Sequence, residues 1–236
     1  MDSLPLPKPP LGNRESRELN YEVPNTMSSA ILTATGKWFD VLNPDPALID
    51  LADIACALSK LCRFGGHCHE FYSVAEHSIL VSRLVAQRSG ATREAVAWAL
   101  LHDASEAYVA DIPRPVKRQL PQYVAIEDTV QKAIAERFRL PWPMPDEVHE
   151  ADHELLALEL RAYMPEQSEQ LLPPISNQSL VGTLPKNPLL PKQAEQAFLD
   201  EAGRLGLLDG KQGVTKSRTT TCRMGGVQRY LKSKVC

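Results

Sequence analysis

Histidines and carboxylates recur in this chain at spacings that suit a divalent cation. The segment His149-Glu150-Ala151-Asp152-His153 fits H-E-x-x-H. On a helix its two histidines would stand at i and i+4 on one face and could hold zinc. Glu150 would then serve as the general base of a zinc protease. Two features weigh against that reading. Asp152 falls about 60° from His149 on a helical wheel, which adds a carboxylate without a task. A third ligand is also lacking, because no histidine follows His153 and Glu159 shares the same helix.

A second constellation lies upstream, in "ALLHDASEAYVADIPRPVK". His102 and Asp103 are adjacent at the end of a strongly apolar helix. A buried carboxylate without partners must shift its pKa or find a cation, and a divalent metal would satisfy it. Glu106 stands at i+4 from His102 and i+3 from Asp103, so all three can face one site. Asp111 precedes the proline turn and Lys117 follows it. Taken alone, the His-Asp pair reads more plainly as a capped or solvent-facing helix end. It is joined, however, by His77 in an earlier helix and by Asp152 in a later one. Each of those also has a plain reading, as a hydrogen-bonded first-turn histidine and a solvated helix-face charge. Cys62, His67, Cys68 and His69 crowd together as well, but their spacing fits no standard zinc pattern.

The elements that must position these residues are helices. "DLADIACALSKLC" puts Ile54, Leu58 and Leu61 on one face. "SVAEHSILVSRLVAQ" opens with Ser73 and has Glu76 three residues on, a capping box. "TREAVAWALLHDASEAY" starts from Thr92 as N-cap and reads as one helix through the His-Asp pair. Pro113 and Pro115 stop what precedes them. "YVAIEDTVQKAIAERF" spaces Ile126, Val130, Ile134 and Phe138 at steps of four, and Pro141 ends it. "PDEVHEADHELLALELRAYM" places Pro145 in its first turn and carries a stripe of Val148, Ala151, Leu155 and Leu158. "PKQAEQAFLDEAGRLG" makes a last helix. A short hairpin is expected around Thr35-Gly36. The segment 165–190, with five prolines, reads as a long loop. The expectation is an all-α domain over 28–208, with a disordered Pro-rich lead at 1–27 and a basic disordered tail at 209–236.

Composition narrows the function. The chain has 236 residues and a net charge of -3. Residues 211–236 hold seven basic side chains and no acid, so the first 210 carry 19 basic against 29 acidic residues. An acidic body argues against broad nucleic-acid binding and suits a protein that holds cations. The tail has only Tyr230 for stacking on bases. The start lacks the apolar run of a signal peptide, and no stretch approaches a membrane span. Five cysteines without a regular frame suggest reduced thiols in a cytoplasm.

The order His77, His102-Asp103, Asp152 resembles the HD superfamily of metal-dependent phosphohydrolases. "CRF" at 62–64, "YSVAEHS" at 72–78, "HDASEAYVADIPRPVK" at 102–117 and "EADHE" at 150–154 are similar to the 5'-deoxynucleotidase branch and the related phage deoxynucleotide triphosphohydrolases. The resemblance covers roughly residues 30–205. It implies a single HD-domain helical bundle in which His77, His102, Asp103 and Asp152 bind one divalent metal, whether Mn, Co, Mg, Zn or Fe. It implies Glu106 as catalytic carboxylate, with Asp111 as a second acid, and Arg63, Phe64 and Lys117 as substrate contacts. Phe64 stands where the nucleotidase usually has Trp, which leaves base specificity open. The implied reaction cleaves the 5'-phosphate ester bond of a (deoxy)nucleotide, releasing nucleoside plus phosphate or triphosphate. "GKWFD" and "RFGGH" look more like the triphosphohydrolase branch, while the HDASE block fits both. The G-Y-P element of the cyclic-dinucleotide phosphodiesterases is absent. The alternative is a non-catalytic metal or nucleotide-binding module. The sequence does not give the oligomeric state; by analogy with that family a homo-oligomer is one option. In this reading Asp152 is the functional residue of the H-E-x-x-H segment.

Overall fold

The computed structural model describes residues 29–166, 170, 172–175 and 184–208. The expected lead at 1–27 and tail at 209–236 lie outside the described residues. A two-stranded antiparallel hairpin, β1 (Ala30–Leu32) and β2 (Trp38–Asp40), precedes eight helices. These are α1 (Leu51–Leu58), α2 (Val74–Ala86), α3 (Arg93–Leu101), α4 (Glu106–Val109), α5 (Arg114–Lys117), α6 (Pro121–Phe138), α7 (Asp146–Tyr163) and α8 (Pro191–Arg204). The described residues are mostly helical, as expected. None of their helices is long and apolar enough to cross a membrane.

The hairpin turns at Gly36, whose φ of 82° is the left-handed region that glycine enters without penalty. Thr35 ties it to α1, donating from its amide and its hydroxyl to Asp53 at 2.6 and 2.8 Å. That satisfies a carboxylate which is otherwise buried.

Side-chain caps start α1, α2 and α3. The Asp50 carboxylate accepts from Ala52 N, Ser73 Oγ from Glu76 N, and Thr92 Oγ1 from Ala95 N. Each such cap is worth about 1 kcal/mol. The capping box expected at α2 is not completed. Glu76 turns instead to the Leu189 amide at 2.7 Å and ties the strand before α8 to the bundle. Pro145 stands one residue before α7 rather than inside its first turn. Pro113 and Pro115 open the short helix α5, and α6 ends at Arg139, with φ 55°.

The apolar stripes meet in two clusters, with α2 and α3 contributing to both. Val74, Ala75 and Ile79 of α2 and Leu100 and Leu101 of α3 pack with α1, α6, α8 and Phe39. Val81, Leu84 and Val85, with Val96, Trp98 and Ala99, pack against Val148, Ala151, Leu155 and Leu158 of α7. Burying each large aliphatic side chain contributes roughly 1.5–3 kcal/mol. Ser82 Oγ, donating to the Val96 carbonyl at 3.0 Å, stitches α2 to α3 inside this core.

The helix expected to run from Thr92 to Tyr108 is broken. It stops at Leu101, and residues 102–105 form tight turns before α4. Ala104 N and Glu106 N donate three residues back, to Leu101 O and Asp103 O, at 3.0 Å each. Gln131 of α6 makes the break tolerable. Its Nε2 donates to Leu101 O at 2.7 Å and its Oε1 accepts from Ser105 N at 3.0 Å. Two backbone groups that a straight helix would pair are thus paired across the core. The His102-Asp103 pair sits in this tightened turn.

Candidate metal centre

Two helices and one turn converge on the His-Asp pair. His77 comes from the first turns of α2, Asp152 and Glu159 from one face of α7 at i and i+7, and Arg63 from a turn before α2. Paired strands of irregular backbone hold that turn: Arg63 N donates to Tyr72 O at 2.8 Å and Val74 N to Leu61 O at 3.0 Å. Phe64, Gly65 and Gly66 follow with three positive φ values, 56°, 60° and 79°. A phenylalanine rarely adopts that conformation, and such positions concentrate at working sites.

The hydrogen bonds fix the state of both histidines. His102 Nδ1 faces the Ala99 carbonyl at 2.8 Å, and a carbonyl can only accept, so Nδ1 donates. His77 Nδ1 faces Glu159 Oε1 at 2.6 Å and donates likewise. The two remaining Nε2 atoms face each other at 3.2 Å. If neither Nε2 carried a proton, two lone pairs would face one another, an arrangement relieved by a proton on the His77 ring or by a metal cation between or beside the two. Carboxylates complete the set. Asp152 Oδ1 lies 3.2 Å from His77 Nε2. Asp103 Oδ2 lies 3.2 Å from His102 Nε2 and 3.7 Å from His77 Nε2. His77, His102 and Asp152 each offer a ligand atom within 4.8 Å of the others, so these three could hold a metal ion; Asp103, expected as a fourth ligand, borders the group without belonging to it. Two imidazoles and a carboxylate, with a second carboxylate beside them, suit Mn, Co, Fe, Zn or Mg and do not choose among them.

Electrostatics agree with this geometry. Burial would push the Asp103 and Asp152 carboxyls up, but His77 and His102 beside them hold both far below the usual carboxylate range. Burial and Arg63 push the His77 imidazolium down, yet Glu159 and Asp152 outweigh them and hold it up at about 9. A proton thus occupies the His77 ring where a metal cation would otherwise serve. Burial, then Asp103 and Asp111, push the Glu106 carboxyl well above its ordinary value. Its Oε2 is buried and has no partner among the described residues. Burial and Asp103 push Asp111 up in the same way.

The remaining sequence candidates fall around this centre. Arg63 Nη2 bonds Glu159 at 3.0 Å and its Nη1 lies 3.7 Å from Asp103, while Nε is buried without a partner among the described residues. Phe64 lies outside both core clusters, half-buried, 5.5 Å under the Arg63 guanidinium. Lys117 is ion-paired with Glu127 at 2.6 Å. Cys62, Cys68, His67 and His69 do not form a ligand group among the described residues. The H-E-x-x-H histidines face outward. His149 and His153 are exposed, His153 Nδ1 donates to His149 O at 2.8 Å, and Glu150 pairs with Arg88 at 3.1 Å.

Sequence reasoning weighed Glu159 only as a protease ligand and passed over Tyr72 and Arg114. Glu159 is fully buried and receives His77 Nδ1, Tyr72 Oη at 2.7 Å and Arg63. A carboxylate behind a ligating histidine fixes its tautomer and raises its basicity. The available signal was its place on the stripe of α7, beside Leu155 and Leu158 and two turns from Asp152. Arg114, the variable position of the DIPxPVK run, reaches Asp152 Oδ2 at 3.2 Å.

No family model matches the chain. It is similar to YfdR, an uncharacterized protein of Escherichia coli strain K12, with 45% identity over 135 residues, 56% of this chain and 71% of that protein. It is also similar to an uncharacterized protein of Rhodobacter capsulatus, with 37% identity over 123 residues, 50% of this chain and 62% of that protein. With more than two thirds of YfdR matched at that identity, the chain belongs to the YfdR family.

Proposed function

We propose that this protein is an HD-type metal-dependent phosphohydrolase that cleaves the 5'-phosphate ester bond of (deoxy)nucleotides. The observation that carries the reading is the pair of opposed Nε2 atoms of His77 and His102, flanked by Asp103 and Asp152, with Glu106 Oε2 buried and without a partner among the described residues. His77, His102, Asp103 and Asp152 would hold one divalent cation. When bound, that cation supplies Lewis-acid polarisation of a phosphoryl oxygen and lowers the pKa of water.

The chain's own residues do the rest. Glu159 holds the His77 ring in the tautomer that leaves Nε2 free to ligate. Glu106 keeps a proton at a pH where a free glutamate would have lost it, which suits a group that moves a proton between water and the leaving 5'-oxygen. Asp111, shifted in the same direction, backs it. Arg63, with Nε still to be paired, would orient the phosphate, since its planar fork matches that group. The half-exposed Phe64 ring offers a face to base or sugar. Lys117 acts on phosphate only if it leaves Glu127.

The test is a panel of ribo- and deoxynucleoside mono- and triphosphates, incubated with metal-stripped protein and readded Mn, Co, Mg or Zn. Nucleoside plus triphosphate would mark a triphosphohydrolase, and nucleoside plus phosphate a nucleotidase. No turnover with any metal would leave a metal-binding module and remove the catalytic reading.

A further inference from the structure

The turn that carries Arg63 holds two thiols that neither the metal centre nor the reaction uses. Cys62 Sγ and Cys68 Sγ lie 3.6 Å apart, and both residues are half-buried, open to a small oxidant. A disulfide needs about 2.05 Å between sulfurs, so the pair must close by about 1.5 Å. The backbone between them includes Phe64, Gly65 and Gly66 at positive φ, two of them glycines that move cheaply. Cys68 Sγ already rests 3.8 Å from the Arg63 carbonyl oxygen. Arg63 itself reaches Glu159, the residue that orients His77.

We infer that Cys62 and Cys68 form a redox-modified dithiol, whose disulfide closes a ring around Arg63 and loosens its hold on the metal centre. The oxidant is a peroxide. One cysteine thiolate attacks a peroxide oxygen, gives a sulfenic acid and expels hydroxide, which takes up a proton to become water. The second thiolate attacks that sulfur, forms the S–S bond and expels a second water. Two thiols lose two electrons and two protons, and one hydrogen peroxide becomes two waters. Burial, with Cys62 beside it, pushes the Cys68 thiol up, so the bond forms faster as pH rises.

The bond does not depend on the hydrolase reading; its effect on the cation rests on the metal-centre part of it. The full chain is treated with hydrogen peroxide and digested, and the Cys62 and Cys68 peptides are mapped by mass spectrometry. The expected result is a linked pair two hydrogens lighter, reversed by dithiothreitol, in the wild type and in Cys56→Ser, but not in Cys62→Ser or Cys68→Ser. Absence of that link, or linkage through another cysteine, overturns the pairing. Oxidised protein titrated with Mn2+ should bind roughly tenfold more weakly than reduced protein, the range typical of a disturbed partner of a metal ligand. The His77 ring protons, read by NMR without metal, should shift on oxidation. A linked protein with unchanged Mn2+ affinity or unchanged His77 resonances overturns the coupling, the second even if the chain binds no metal.

Discussion

Two histidine pairs in this molecule make opposite use of the same side chain. His149 and His153 are four residues apart on α7 and fit a metal-site motif letter by letter, yet both are exposed and one bonds the other's carbonyl. His77 and His102 are 25 residues apart and match nothing as a pair, yet their Nε2 atoms meet at 3.2 Å beside two carboxylates. The difference lies behind the rings. In the buried pair each far nitrogen is held by a protein acceptor, Glu159 or the Ala99 carbonyl, so each near nitrogen is free to ligate. Spacing on one helix face is therefore not enough. A ligand set also needs burial, a fixed tautomer and converging charge.

The largest effect is expected at the carboxyl that holds a proton. Glu106→Gln should keep the bound cation but lower hydrolysis by roughly 100- to 10,000-fold, measured as steady-state turnover. Unchanged turnover would remove Glu106 from the proton path. Asp152→Ala takes a ligand from the centre and should weaken Mn2+ binding by more than roughly 100-fold by calorimetry, beyond the range for outer partners. Glu159→Gln leaves every ligand in place and removes only the charge behind His77. It should cost roughly 10- to 100-fold in the same titration, and an affinity equal to wild type would deny the histidine its orienting partner.

Proton linkage sharpens the comparison further. His77 is raised from an ordinary 6.5 to about 9 without metal, so at neutral pH a cation must displace its proton. Mn2+ affinity should rise about tenfold per pH unit from pH 7 and level off near 9. The sign for the metal-free fold is the reverse. The stabilisation from the charged ring is fully present below 6.5 and is lost as pH rises through about 9. A flat affinity across that window would mean that the ring is already neutral. The smallest effect belongs to the outer pair: His149→Ala should leave metal affinity unchanged and stability within about 0.5 kcal/mol, read by thermal melting.

The stripes were legible because burial follows helical period. Ile54, Leu58, Val130, Ile134, Val148, Ala151 and Leu155 all came out inside. The hairpin at Gly36 and the caps at Ser73 and Thr92 also formed where the sequence put them. What could not be read depends on partners distant in the chain. The break after Leu101 exists because Gln131, on another helix, pairs the freed backbone groups. Glu76 left its capping box for an amide 113 residues away. At the site, the order His77, His102-Asp103, Asp152 was visible in the sequence, but the place of Glu159 behind His77 was not. A glutamate on an apolar stripe carries no motif, and its role appears only when His77, Tyr72 and Arg63 close around it.

The most direct measurement is anomalous diffraction from crystals of the protein grown with Mn2+. One strong peak is expected, bonded to His77 Nε2, His102 Nε2, Asp103 and Asp152, and none at α7's outer face. A peak held by His149 and His153, or no peak between His77 and His102, would contradict it.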